Sequence, residues 1–222
     1  MGDRADKRTY DDACGTAHGL DLIGERWSLL VMRELLLGPR RFSDLRAALP
    51  GISANVLTQR LEGLEASGLL VRRKLPPPAA SQVYELTPWG MDAEPVITTL
   101  GRWAVRSPRH DPGKHMSAVS LVLSLRTMFD SARAADLAIT VGFRMDGEDF
   151  FASVRDGRLQ AGRGEGGSPD LMLVGAPAAI ATAIYDGSPL KELEGAGSIE
   201  ASGDRGQAER FFACFPLPAK AG

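Results

Sequence analysis

The chain reads as two domains of different class. The first is mainly α and closed by a two-stranded ribbon. The second is α+β, with a small, mostly antiparallel sheet and packed helices. Three observations predict this division. Apolar residues recur at helical spacing through most of the first hundred positions. The segment RSPRHDPGKH, residues 106–115, interrupts that periodicity with two prolines, a glycine and five basic or imidazole side chains. Beyond it, short alternating apolar runs are separated by glycine-containing turns. With 222 residues, 44% of them apolar and 24% charged, the chain can bury two modest cores. The linker sets the domains at 1–108 and 109–222.

In the first domain, GTAHGLDLIG repeats Ala17, Leu20 and Ile23 on one face and stops at Gly24. RWSLLVMRELLLG follows, with Trp27, Leu30, Val31, Leu35 and Leu36 expected inward. Gly38-Pro39 ends it, since glycine tolerates the left-handed cap and proline cannot continue the helix. RRFSDLRAALP offers Ser43 as a cap and Leu45 and Leu49 as its buried pair. After Pro50-Gly51, Ser53 caps a helix whose buried stripe is Leu57, Leu61 and Leu64 and whose stop is Gly68. The opposite face carries Asn55, Thr58, Gln59 and Glu62, which a helix buried on all sides would not place there. LLVRRKL and QVYELT read as two short strands joined by the stiff PPPAAS. The last helix starts at the Thr87 cap with Pro88 in its first turn, carries Val96, Leu100 and Trp103, and is expected to kink at Pro95. Two short helices meeting through ALPGIS, then a ribbon with basic residues, is the winged helix-turn-helix plan: the second helix fits a major groove and the ribbon grips the backbone beside it.

The net charge of −2 hides an asymmetry. Residues 40–74 hold 7 Lys/Arg against 3 Asp/Glu, a local excess of +4 that suits a polyanion. No apolar run approaches the length of a membrane span, and MGDRADKRTYDDACG lacks a signal-peptide core, so a cytoplasmic protein with no membrane partner is expected. Cys14 and Cys214 stand far apart and form no metal-ligand spacing; no metal site and no cofactor are expected. His18, His110 and His115 fall in the first helix and the linker, no GxSxG occurs, and GRGEGGSP lacks the Lys-Ser/Thr of a phosphate loop, so no catalytic residue is assigned and the chain is not read as an enzyme.

LDLIGERWSLLVMRELLLGPRRFSDLRAALPGISANVLTQRLEGLEASGLLVRR, followed by YELTPWG, resembles the HxlR-type bacterial transcriptional regulators, winged-helix homodimers distantly related to the MarR group. The resemblance covers about residues 14–105 and implies double-stranded DNA, a pseudo-palindromic operator, and a second copy of the chain as partners. Arg40, Arg41, Ser43, Arg72, Arg73 and Lys74 would hold phosphates, each contact releasing a condensed counterion. Ser53, Asn55, Thr58, Gln59 and Arg60 would reach base edges. Two half-sites about 34–36 Å apart call for a dimer, with Leu20, Ile23, Val96, Leu100, Trp103 and Val105 as its contacts. Cys14 lies where similar regulators carry a cysteine that in some members senses oxidants, and its place near a helix start would favour the thiolate.

The second domain is expected to run helix, three strands, a fourth strand in PDLMLVG, a helix, a short helix, a fifth strand in AGSIEASGD and a closing helix. DLMLVGAPAAIATAIYDGSPLKELEGAGSIEASGDRGQAERFFACF is similar to the second half of sterol-carrier-protein-2-like domains, a fold that shelters apolar molecules between sheet and helices. The resemblance implies a pocket for a small apolar or amphipathic effector, with Phe143, Arg144, Phe151, Met172, Ile184, Tyr185, Phe211 and Phe215 as candidate lining and Phe212 beside them. The chain is therefore read as a ligand-responsive DNA-binding repressor. The alternatives are a lipid or metabolite carrier whose winged helix serves dimerisation, and a redox-sensing regulator acting through Cys14.

Overall fold

The computed structural model describes residues 9–77, 81–134 and 136–222. They divide into two compact units, Met1–Glu94 and Pro95–Gly222. The division falls earlier in the chain than the proline-rich linker, because the last helix of the helical run makes its hydrogen bonds with the second unit.

The first unit holds α1 (Gly15–Ile23), α2 (Ser28–Leu35), α3 (Phe42–Ala48), α4 (Ala54–Ala66), β1 (Leu70–Lys74), β2 (Gln82–Leu86) and α5 (Pro88–Met91). Its core is aliphatic: Val31, Met32 and Leu35 of α2, Leu45 of α3, Leu57, Leu61 and Leu64 of α4, and Leu70 of β1 are all at most 1% exposed. β1 pairs antiparallel with β2 in the register Leu70↔Leu86 to Lys74↔Gln82, and Arg40 adds a single bridge to Tyr84 on the other side of β2. Part of the PPPAAS tip, residues 78–80, lies outside the described residues.

Three local expectations are corrected. Helix α2 begins only at Ser28, with Trp27 held at φ +82° before it; its buried residues are therefore Ser28, Val31, Met32, Glu34 and Leu35, and Leu30 is left 39% exposed. Helix α3 is capped at Arg41, not Ser43: the Arg41 N–H donates to Asp44 Oδ2 at 3.1 Å, and the Ser43 hydroxyl donates to Asp44 Oδ1. Pro95 does not kink one long helix. The chain breaks after Met91 and restarts as α6 (Glu94–Ala104), with Pro95 in the first turn where a missing N–H costs nothing.

Gly90 shows why LTPWG follows the wing. Thr87 Oγ1 accepts from the Gly90 N–H at 3.0 Å and donates to the Gly68 carbonyl at 2.8 Å, tying the start of α5 to the end of α4. A Cβ on Gly90 would run into the Leu69 carbonyl oxygen, so only glycine permits this approach.

The second unit holds α6, α7 (Ala118–Met128), β3 (Ile139–Met145), β4 (Glu148–Arg155), β5 (Arg158–Arg163), β6 (Leu171–Gly175), α8 (Pro177–Ala181), α9 (Leu190–Gly195), β7 (Ile199–Gly203) and α10 (Ala208–Phe212). A π-helical turn, Thr182–Asp186, continues α8. The five strands form one mixed sheet in the order β5-β4-β3-β6-β7, antiparallel except where β3 and β6 run parallel. Helix α7 buries Val119, Leu121, Val122 and Leu125. Central strand β3 buries Ile139, Val141, Phe143 and Met145 in alternation. Phe211, Phe215 and Phe129 close the end of this core, with ring centroids 4.9 Å apart for Phe211–Phe215 and 5.9 Å for Phe129–Phe215.

Candidate nucleic-acid interface and a cavity in the second unit

The helix-turn-helix is α3, the turn Leu49–Ile52, and α4. The Ser53 Oγ accepts from the Val56 N–H at 3.3 Å, fixing the start of α4, and Leu57, Leu61 and Leu64 lock one face into the core. The opposite face is then set by helical geometry: Asn55, Thr58, Gln59 and Glu62 are all exposed. Two amides and a hydroxyl on an uncovered helix face can bond base edges, Asn and Gln bidentately to adenine.

Arg60 does not share that face. It is turned to the side, where Nη1 meets Glu25 Oε2 at 2.7 Å and only 18% of its side chain is exposed. Glu25 lies in the α1–α2 connection, so this pair ties α4 to the start of the unit. Arg40 is likewise drawn in: it is 8% exposed, its N–H donates to the Tyr84 carbonyl at 3.0 Å, and its carbonyl accepts from the Tyr84 N–H at 2.8 Å. Burial leaves neither guanidinium standing clear as sequence reasoning had placed it. Arg41 and Ser43 are exposed at the start of α3. Arg46, in the last turn of α3, is exposed too, and was missed because nothing in its spacing singled it out.

On the wing, Arg72 Nε meets Glu65 Oε2 at 2.8 Å, with Glu62 at 4.0 Å, and the guanidinium lies over the Tyr84 ring. Both glutamates belong to α4, so Arg72 clamps the wing to that helix. Arg73 Nε pairs across the ribbon with Glu85 Oε2 at 2.9 Å. Lys74 ends β1 exposed. Arg72 and Arg73 remain partly exposed at 38% and 52% of their side chains, and exposed pairs of this kind exchange partners at little cost.

Cys14 occupies the N-cap of α1 and is exposed. Hydrogen bonds from the Thr16 and Ala17 backbone and the Thr16 hydroxyl hold its thiol below the ordinary value.

In the second unit a cavity of about 820 Å³ opens beside the π-helical turn, α9 and α10. Of the candidates named from the sequence, Ile184, Tyr185 and Phe215 line it, together with Leu190, Phe212, Leu217, the cationic Arg133, Lys191 and Arg205, and the acidic Asp186 and Glu209. The Tyr185 hydroxyl is 2.5 Å from the Ser124 hydroxyl, and burial pushes its pKa up. Five other candidates are not in the wall. Phe143 and Phe211 are 0% exposed and fill the core. Phe151 packs against Gly162 of β5 and Gly166 just beyond it, and Met172 packs against Gly142. Arg144 points outward to Asp149 Oδ1 at 2.8 Å.

Residues 22–111 match the family model HxlR-like helix-turn-helix. The uncharacterised HTH-type transcriptional regulator YvaP of Bacillus subtilis is 36% identical over 85 residues, which are 38% of this chain and 79% of that protein. The HTH-type transcriptional regulator YodB of the same organism is 34% identical over 83 residues, 37% of this chain and 74% of the relative. The uncharacterised regulator YtfH of Escherichia coli is 33% identical over 94 residues, 42% of this chain and 75% of the relative. The family match ends at residue 111, so most of the second unit lies beyond it. The chain belongs to the HxlR-like helix-turn-helix family and is, over its first unit, an HTH-type DNA-binding transcriptional regulator.

Proposed function

We propose that the chain is a homodimeric repressor that reads a pseudo-palindromic operator with α4 and answers to a small amphipathic effector held in the second unit. The observation that carries the reading is the uncovered amide face of α4 opposite its locked leucines. Asn55, Thr58 and Gln59, with Ser53 at the helix start, contact base edges. Arg41, Ser43, Arg46 and Lys74 meet phosphates, joined by Arg72 and Arg73 as they exchange carboxylates for phosphate oxygens. Arg60 acts through Glu25, holding the pitch of α4, and Arg40 holds the base of the wing.

Dimerisation is supported by apolar side chains the single chain leaves bare: Leu20 is 46% exposed, Val96 52%, Leu100 44% and Trp103 70%. The effector reading is supported by the cavity, apolar over most of its wall, with Arg133, Lys191 and Arg205 set against Asp186 and Glu209, a composition that suits an apolar body and leaves a small excess of positive charge for a polar, anionic end. A ligand changes DNA affinity only in proportion to its preference for one state of the protein.

The test is a fluorescence anisotropy titration of the promoter fragment upstream of the chain's own gene against a scrambled duplex, at low and high salt. A regulator binds the promoter fragment the tighter by about 10³-fold or more, with an affinity that falls steeply with salt. A carrier that uses the winged unit only to dimerise binds both duplexes weakly and alike.

A second reading is favoured by the exposed, thiolate-prone Cys14: oxidation there changes the first helix and so the dimer. Mild peroxide that leaves operator binding and Cys14 unaltered ends that reading.

A further inference from the structure

The C-terminal segment has two ends with different duties. Pro216 and Leu217 form part of the cavity wall and follow Phe215, which is buried edge-on against Phe211. Shortly after, the same segment is tied to the end of α6. Arg106 Nε donates to the Ala219 carbonyl at 3.1 Å, and the Ala221 N–H donates to the Arg106 carbonyl at 2.7 Å. Lys220 Nζ donates to the Val105 carbonyl at 3.1 Å and the Ser107 carbonyl at 3.4 Å. Val105, Arg106 and Ser107 form the turn that leaves α6, and their N–H groups close the helix's last carbonyls, those of Gly101, Trp103 and Ala104; an ammonium bonded to the carbonyls of that turn holds it in place and suits the negative end of the helix dipole. The tail clasps the turn at the C-terminal end of α6.

Helix α6 is otherwise loosely held. It contributes no buried side chain. A groove of about 420 Å³, lined by Thr99, Arg102, Trp103, Arg106, Pro218 and Ala219, separates it from the tail. Its tie to α7 is polar as well, with Arg102 Nη1 donating to the Thr127 carbonyl at 2.9 Å. An element attached by exposed hydrogen bonds instead of packing opens at low cost.

We propose that residues 215–221 are a strap that reports occupancy of the cavity to α6. The proposal rests on the reading of the cavity as an effector site. A ligand pressed against Pro216 and Leu217 pulls the strap from that turn and frees the carbonyls of Val105 and Arg106, while the Ser107 carbonyl keeps its bond from the His110 N–H. Helix α6 follows the wing and α5 directly in the chain and carries Val96, Leu100 and Trp103, the bare apolar side chains of the proposed dimer. Loosening its end changes the pairing of two copies and weakens operator binding.

The experiment uses the full chain with dodecanoate, an amphipathic carboxylate, as the probe. Saturating dodecanoate is expected to speed amide exchange at 219–221 and 102–107 by about tenfold and to weaken operator binding by about fivefold to a hundredfold. A variant lacking residues 219–222 keeps Pro216 and Leu217, binds dodecanoate within about threefold of the parent, and has an operator affinity that dodecanoate no longer changes. Unchanged exchange in the parent with dodecanoate bound, or a truncated variant still released from its operator, overturns the strap. Should dodecanoate fail to bind, that failure counts against the effector reading alone, and Ala213→Trp tests the strap by filling the cavity from its own wall. Faster exchange at 219–221 in that variant, with unchanged far-ultraviolet circular dichroism, supports the strap; exchange equal to the parent's overturns it.

Discussion

Cys14 and Cys214 share a side chain and differ in everything around it. Hydrogen bonds at the exposed start of α1 lower the Cys14 pKa, whereas burial raises that of Cys214, whose Sγ donates to the Arg210 carbonyl at 3.2 Å. Only the thiolate attacks an alkylating agent, so a lowered pKa means a larger reactive fraction at any pH below it. Iodoacetamide at about pH 7.5 is expected to label Cys14 and spare Cys214, and the Cys14 rate should reach its midpoint below that of a free thiol. Peptide mass spectrometry showing equal labelling contradicts this. At Gly90 the constraint is steric. Gly90→Ala forces a Cβ against the Leu69 carbonyl and should cost about 1–3 kcal/mol, read as a lower urea midpoint with an unchanged slope. A midpoint equal to the parent's shows that the α4–β1–α5 junction yields freely.

Among the elements, α4 was the most legible, because Ser53, the three leucines and Gly68 are all short-range signals that agree. Leu61→Ala, which empties a site 1% exposed, is expected to cost about 2–5 kcal/mol in chemical denaturation, against less than about 0.5 kcal/mol for Gln59→Ala on the open face. Comparable losses would mean the two faces are exchanged. Other features were not legible, for identifiable reasons. The start of α2 turns on a left-handed Trp27, for which no residue pattern exists. The withdrawal of Arg60 depends on Glu25, a partner far away in sequence. Alternation along β3 puts Ile139, Val141 and Phe143 on one buried face, but alternation cannot tell core from cavity wall, and Phe143 belongs to the core. The wall is made where a π-helical turn widens the end of α8, and π-turns leave no compositional mark. The order of strands in the second unit was readable as a series of segments; the parallel β3–β6 pairing in the middle of the sheet was not, since it joins strands separated in the chain by β4 and β5.

For the whole molecule, a single winged unit touches too few base pairs to select one site among the many a genome offers, so the proposed function requires two copies. Light scattering is expected to give twice the 23.7 kDa chain mass, and Leu100→Asp with Trp103→Asp to give monomers whose operator affinity is lower. Parent protein at the monomer mass removes the dimer from the account. The local excess of positive charge resolves into Arg60, Arg72 and Arg73 paired with carboxylates, Arg41, Arg46 and Lys74 exposed, and Arg40 drawn in beside β2. Charge would supply affinity and register, and the amides would supply preference. The division is measured most directly with a panel of operators carrying every single base-pair change, bound to the parent, Gln59→Ala and Lys74→Ala. Gln59→Ala should lose about 1–3 kcal/mol on the preferred operator and become indifferent at one position in each half-site, while Lys74→Ala weakens every operator alike and lowers the salt slope by about 1. A Gln59→Ala protein with the parent's full pattern of base preference contradicts the reading of α4 as the element that recognises sequence.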